Sequence, residues 1–415
     1  MQEMKDSGIS WVGEIPKEWS VWRNKYIFKI TKDIVLPSKN YQLLSLTTTG
    51  IKEKDENDNG GKVPENYDGY QIVKENDLVM CLFDLDCSAV FSGLSPYNGM
   101  ISPAYKVLKV KKRIANEQYY RYWFNYVGSK RFYKQYSKSL RFTLNADEFN
   151  RLFSLLPPLD EQQRIAEFLD RECGKIDGLK ADIQAQIDTL EQYKRSVITE
   201  AVTHGLNPSA PMKDSGIPWV GQFPTHWTKK KGKYILRYMS KPVKQDDGVI
   251  TCFRDGEVTL RSNRREDGFT MADKEIGYQG VDVGDLVVHG MDGFAGAIGI
   301  SDSRGKASPV LNVLNTKQNK KYIMYYLRSM AYGEVFTALS TGIRVRSCDL
   351  RWNKLAELLY PLPPIDEQNN IVNYIDEQIA RTNEIIADKK SQIETLDGYK
   401  KSLIYEYVTG KKEVE

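Results

Sequence analysis

Apolar residues return every three or four positions along one stretch: Ile165, Leu169, Cys173, Ile176, Leu179, Ile183, Ile187, Leu190, Tyr193, Val197 and Ala201. That spacing predicts one long helix with a coiled-coil-like stripe over about six heptads. Pro157-Pro158 punctuates the chain just before it, because proline cannot continue a helix. Asp160 is placed to cap the helix, with Gln163 reaching back as in a capping box. A second stripe runs through Ile371, Ile375, Ile379, Ile385, Ile393, Leu396, Tyr399, Leu403 and Tyr407, interrupted by Thr382 and Lys389. Gly174, Gly178 and Gly398 weaken the two helices locally. Each helix, of about 44 residues, would be ~65 Å long at ~1.5 Å per residue. A lone helix with an exposed apolar stripe is unstable in water, so the two are expected to pack on each other, antiparallel.

The remaining sequence has shorter periods. "GYQIVKENDLVMCLFDL" and "GVDVGDLVVHGM" read as strands joined by Gly/Asn/Asp turns. The uncharged runs "GMISPAY" and "VVHGM" read as buried strands. "NEQYYRYWFNYVGSKRFYKQY" and "NKKYIMYYLRSMAYGEVF" read as aromatic-rich helices, with Tyr119, Trp123 and Tyr126 on one packed side. The fold class that results is α+β: mixed globular segments, each followed by a long helix.

The order of these patterns repeats. "MKDSGISWVG" at Met4–Gly13 returns as "MKDSGIPWVG" at Met212–Gly221. Pro16 falls on Pro224, Trp19 on Trp227 and Tyr26 on Tyr234; "NDLVM" matches "GDLVV". "LRFTLNADEFN" (Leu140–Asn150) aligns with "IRVRSCDLRWN" (Ile343–Asn353), and "LPPLDEQQRIAEFLD" (Leu156–Asp170) with "LPPIDEQNNIVNYID" (Leu362–Asp376). A period this long marks duplicated domains and not a solenoid. The implied division is a globular domain at 1–155, a helical spacer at 156–208, a second globular domain at 209–360 and a second spacer at 361–415.

Composition changes the picture only when taken by segment. The whole 415-residue chain carries a formal charge of +4, which says little about partners. Residues 1–155 hold 23 Lys+Arg against 18 Asp+Glu, and 209–360 hold 23 against 16. The spacers hold 6 against 10 and 7 against 11. Basic globular units point to phosphate binding, and acidic helices argue against the helices as the main DNA-contacting surface. No run approaches 18 apolar residues, so no membrane span is expected, and the start lacks an apolar signal region. The five scattered cysteines, none in a CxxC pair, fit a reduced, cytoplasmic setting without a zinc site.

Two basic variable domains, each closed by "LPPxDEQ" and a long helix, resemble the specificity subunit of a type I restriction–modification system. The resemblance spans essentially the whole chain, and the double "LPPxDEQ" in register with "MKDSGI.WVG" carries it. It implies two target recognition domains on two antiparallel helical spacers, with approximate two-fold symmetry. It further implies a noncatalytic adaptor for double-stranded DNA that holds two modification (methyltransferase) subunits, joined by restriction (endonuclease/translocase) subunits. S-adenosylmethionine, ATP and Mg2+ would then be bound by the partner subunits and none by this chain. Two different recognition domains imply a bipartite, asymmetric target with an unread gap.

Candidate contacts follow from residue type. Arg254, Arg261, Arg264 and Arg265 crowd a loop-rich stretch, and arginine reads guanine bidentately or holds phosphate. A solvated surface loop is the plainer reading of the same cluster. Thr47, Thr48, Thr49 and Lys52 occupy the matching stretch of the first domain, beside acids that repel phosphate. Lys138, Ser139 and Arg141 match Thr341, Arg344 and Arg346; recurrence in both copies favours a shared role, in DNA contact or in structure. The runs "KKR" at Lys111–Arg113 and "TKKKGK" at Thr228–Lys233 are phosphate candidates or merely solvated faces. Phe168 and Tyr374 are candidates for partner docking, or else thicken the seam between the helices. "GFAGAIG" lacks dinucleotide-loop spacing and reads as closely packed strand. His204, His226 and His289 form neither a triad nor a metal set, and no methyltransferase or nuclease core is evident. The rival reading, a stand-alone DNA methyltransferase or nuclease with duplicated DNA-binding domains, requires such a core.

Overall fold

The computed structural model describes residues 3–34, 41–54, 67–264, 276–339 and 350–414. The chain forms two compact units, Met1–Ile183 with Ser391–Glu415, and Gln184–Lys390. Each unit therefore takes one globular segment and part of each long helix.

In the first unit a four-stranded antiparallel sheet runs in the order Phe28–Thr31, Lys106–Val110, Leu78–Met80, Ser92–Leu94. Alternation divides its side chains between two cores. Leu78, Met80 and Leu108 face a core shared with the aromatic helix Glu117–Ser129. Val79, Cys81 and Val107 face a smaller core with the hairpin Leu44–Thr47/Gly50–Glu53 and the pair Gln71–Val73/Gly99–Ile101. Tyr119, Trp123 and Tyr126 are buried as expected, and Asn116 caps the helix by accepting from Tyr119 N.

The second unit repeats the plan. Its sheet runs Leu236–Tyr238, Leu311–Thr316, Leu286–His289, Ile298–Ile300. Leu286 and Val288 pack toward the helix Lys320–Tyr332, and Val287 toward the hairpin Ile250–Cys252/Val258–Leu260. "GFAGAIG", expected as closely packed strand, is only partly so: Gly293–Ala295 form a short 3-10 turn and the strand begins at Ile298, but the backbone is closely packed. A side chain at Gly299 would meet the Gly256 carbonyl at 1.9 Å, and Gly296 holds φ +96°.

The long helices span Leu159–His204 and Ile365–Val408 and are antiparallel where they pack. In the first unit Asp177 pairs with Lys400 at 2.7 Å, Lys180 with Asp397, and Phe168 stacks on Tyr407 with ring centroids 4.4 Å apart. In the second unit Lys194 bonds Asn383 at 2.8 Å and Lys389 bonds Gln186. The seam differs from the expected stripe. Residues 173, 176, 180, 183, 187, 190, 194 and 197 turn inward, which places Lys180 and Lys194 in seam positions. Leu179 and Tyr193, one position earlier, are exposed, as are their repeat partners Ile385 and Tyr399. A spacing of 3.5 residues keeps the seam on its partner and moves these four residues to its flank.

The start of the first long helix also differs from expectation. It begins at Leu159, directly after Pro158, so Asp160 lies in the first turn, 3.7 Å from Arg164. There its charge complements the helix dipole without capping. Gln163 bonds Glu167 at 3.0 Å and does not reach back.

Candidate nucleic-acid interface

The repeated motifs fold into matched internal joints. In "KDSGI" the Asp6 and Ser7 side chains accept from the Gly8 and Ile9 amides, at 3.0 and 3.1 Å. Asp214 and Ser215 do the same for Gly216 and Ile217, at 2.8 and 3.0 Å. Gly13 and Gly221 close the loops at φ +73° and +71°, where a side chain would strain the backbone. Trp19 then donates its indole N–H to Glu161 at 2.9 Å, and Trp227 donates to Glu367 at 3.0 Å. Burial raises the Glu161 carboxyl above its ordinary value, an effect the Trp19 bond offsets in part.

Gln162 and Gln368 complete these joints. The Gln162 amide nitrogen donates to the Pro157 and Ile114 carbonyls, at 2.8 and 2.9 Å, while its oxygen accepts from Asn116 N at 2.9 Å. Gln368 likewise donates to Pro363 O and accepts from Asn319 N, with the Gln318 side-chain oxygen taking the place of the Ile114 carbonyl. Both glutamines are fully buried. The most specific motifs in the sequence thus join the start of each globular segment, its aromatic helix and its long helix.

The candidate contact residues lie elsewhere, on surface turns. Thr48 and Thr49 form the turn of the hairpin that pairs Thr47 with Gly50. Thr47 is occupied by the Gly50 carbonyl at 2.7 Å; Thr48 and Thr49 are exposed, and Lys52 projects from the outgoing strand. The hairpin at the matching place in the second unit carries Arg254, Arg261 and Arg264. Arg254 pairs with Asp292 at 2.9 Å. Arg264 pairs with Glu257 at 2.8 Å and with Asp255, and stacks over Phe253 at 4.1 Å. Arg264 holds the Asp255 carboxyl below its ordinary range. Arg261 donates to Thr251 Oγ1 at 3.3 Å. The arginine cluster is therefore largely matched by its own carboxylates. Arg265, Thr341, Arg344 and Arg346 lie outside the described residues.

Lys138, Ser139 and Arg141 share one loop of the first unit. Lys138 is exposed. Ser139 Oγ accepts from Thr143 N at 2.7 Å and so shapes the turn. Arg141 donates two bonds of 3.2 Å to Asp84. Of the docking candidates, Phe168 is covered by Tyr407, whereas Tyr374 is exposed. In the "TKKKGK" run, Lys231 and Lys233 both pair with Glu357, at 2.7 and 2.8 Å, Lys229 donates to the Ser215 carbonyl, and Lys230 is exposed.

These elements have known counterparts. No family model matches the chain. A candidate type I restriction enzyme MjaX specificity subunit from Methanocaldococcus jannaschii is 22% identical, aligned over 97% of this chain and 96% of that protein. A chain from a structure of complex assembly and conformational transition of the type I R-M system superimposes with a TM-score of 0.66. It is 13% identical, and the match covers 96% of this chain and 99% of that one. The HsdS subunit from Thermoanaerobacter tengcongensis, also 13% identical, aligns over 96% and 98% at a TM-score of 0.47. The chain is related, end to end, to type I restriction-enzyme specificity subunits.

Within this specificity-subunit fold, sequence reasoning missed a charged network in the second unit. Arg304 binds Asp247 at 2.8 Å and Asp282 at 2.5 Å, and Lys241 bridges Asp282 and Asp285 at 2.7 and 2.5 Å. Arg304 lowers the Asp247 carboxyl to about 2. These residues are scattered through turns, so no spacing signalled them. Among the described residues no His/Cys/Asp/Glu group could hold a metal ion, and no helix is long and apolar enough to cross a membrane.

Proposed function

We propose that this chain is the DNA-reading subunit of a type I restriction–modification complex. The observation that carries the reading is the duplicated unit: two globular segments with the same sheet order, different surface turns and matching joints to a helical pair. Each segment reads one half of a bipartite, asymmetric double-stranded DNA target, by direct contacts and by DNA shape. Exposed turns, including those at Thr48–Thr49 and Lys138–Arg141, are the reading surfaces. The spacer helices fix the unread gap. In this reading methyl transfer and cleavage belong to the modification and restriction subunits, which bind S-adenosylmethionine, ATP and Mg2+, and the complex works in the cytoplasm.

The helices also offer places for two modification subunits. Leu179 and Tyr399 occupy equivalent flank positions of the seam in the first unit, and Tyr193 and Ile385 do so in the second. Flank positions of a coiled coil ordinarily carry charge. An exposed aliphatic–tyrosine pair, repeated once per unit, suits two copies of one partner.

The test is a base-resolution map of adenine methylation in a methylation-free bacterium that expresses this chain with its neighbouring methyltransferase gene. A gapped, asymmetric motif that vanishes without this chain is expected. A continuous motif, or methyl transfer by the purified chain alone, would overturn the proposal.

A further inference from the structure

The loop Ser137–Thr143 presents one apolar side chain to solvent with nothing around it. Leu140 is 101% exposed, at the tip of a loop that is otherwise closely tied. Ser137 Oγ donates to Thr143 O at 2.9 Å, Thr143 N donates to Ser139 Oγ at 2.7 Å, and Phe142 N donates to Ser139 O at 3.0 Å. The Arg141 and Phe142 carbonyls accept from Asp84 N and Leu85 N, both at 3.2 Å. Phe142 and Asp84 sit at φ +46° and +49°, a conformation L-residues avoid. The loop is thus braced in one shape, with an isolated leucine as its outermost group.

Two observations say what that leucine meets. Its surroundings are mainly cationic: Lys138 is exposed two positions before it, and Lys130, Arg131 and Lys134 are exposed just upstream, while Arg141, which follows, is paired with Asp84. The aliphatic–arginine pair also recurs. Leu140-Arg141 aligns with Ile343-Arg344 in the second copy, although several side chains around the pair differ, among them Lys138 against Thr341 and Thr143 against Arg346. A solvated turn needs no apolar tip, and two divergent sequences need not keep an aliphatic residue at one aligned position. An apolar tip between cations suits duplex DNA, where side chains such as leucine and isoleucine press between base steps while cations hold phosphate.

We propose that Leu140 is a wedge that enters a base-pair step of the half-site read by the first globular segment. Lys138 holds the adjacent phosphate, and Arg141 positions the loop through Asp84. This inference rests on the DNA-reading function proposed above. It is tested on the assembled complex, without S-adenosylmethionine, using duplexes of the mapped motif. Each duplex carries 2-aminopurine at one position of that half-site other than the methylated adenine. Fluorescence is expected to rise at one step. Leu140→Ser should abolish the rise and weaken binding about tenfold, whereas Leu140→Met should keep both. Lys138→Gln should keep the fluorescence and lower the salt slope of binding by about one. Leu140 is fully exposed, so none of these variants should change thermal unfolding. The wedge is overturned if no step brightens, or if Leu140→Ser binds and brightens like the parent. It is equally overturned if Leu140→Ser binds DNA normally but loses a partner subunit. A complex that methylates a motif yet shows any of these results leaves the DNA-reading proposal standing. A complex that binds no DNA removes both.

Discussion

Gln162 and Gln368 occupy the same slot of a repeated motif, and each satisfies three polar groups with one side chain. Burying unpaired carbonyls and amides is costly, so Gln162→Ala should destabilise the first unit by about 2–3 kcal/mol. Hydrogen exchange of the Glu117–Ser129 helix checks this, and the methylated motif should be unchanged because Gln162 is buried away from any reading surface. The Arg304 network supplies a pH test. Asp247 is pulled below its ordinary 3.8 to about 2, so it binds its proton more weakly folded than unfolded. Its contribution to stability is therefore present above pH 3.8 and is lost as pH falls toward 2. Chemical unfolding at pH 5 and pH 3 should show the parent losing stability between them. Asp247→Asn should start lower, by about 1–2 kcal/mol with Arg304 left to Asp282 alone, and fall less steeply. An equal slope in both proteins would assign the acid sensitivity elsewhere.

Long helices were legible because their apolar residues recur over many turns, and "NDLV" and "GDLVV" because a short uncharged run between turn residues suits a buried strand. Seam register was not legible, since Leu179 and Tyr193 fit a loose stripe better than Lys180 and Lys194 do. The lysines enter because their stems pack while their ammonium groups reach Asp397 and Asn383 on the other helix. The state of the candidate arginines was hidden for a related reason. Arg141 and Asp84 lie 57 positions apart, and Arg254 and Asp292 lie 38 apart, so their pairing exists only after folding. The "LPPxDEQ" motif was legible as a boundary, but in place of the expected capping box by Asp160 and Gln163 it is Gln162 that works, tying the helix to Pro157, Ile114 and Asn116. The exposed flank pairs make a prediction at this scale. Leu179→Lys with Tyr399→Lys alters the flank pair of one unit only, at solvent-exposed positions. Native mass measurement of the complex should show one modification subunit lost and one retained. Loss of both, or of neither, would show that the pairs are not separate docking sites.

Duplication within one chain has a consequence that a symmetric dimer lacks: the two copies are free to diverge in their turns while keeping the same joints. The first unit offers a threonine turn with Lys52, and the second an arginine hairpin neutralised by Asp255, Glu257 and Asp292. Such surfaces suit different base sequences, so the two half-sites should differ and should be separable. Replacing residues 209–360 with the matching segment of a relative tests this directly. A donor that supplies tryptophan at 227 and asparagine at 319 rebuilds the bonds to Glu367 and Gln368, which the recipient retains. The hybrid should then fold with parental stability. Its methylated motif should change in one half and keep the other half. The reciprocal exchange of 1–155 should change the opposite half. A motif that changes throughout in either hybrid would mean that the two segments read one continuous site, and that the duplication serves assembly and not the division of the target.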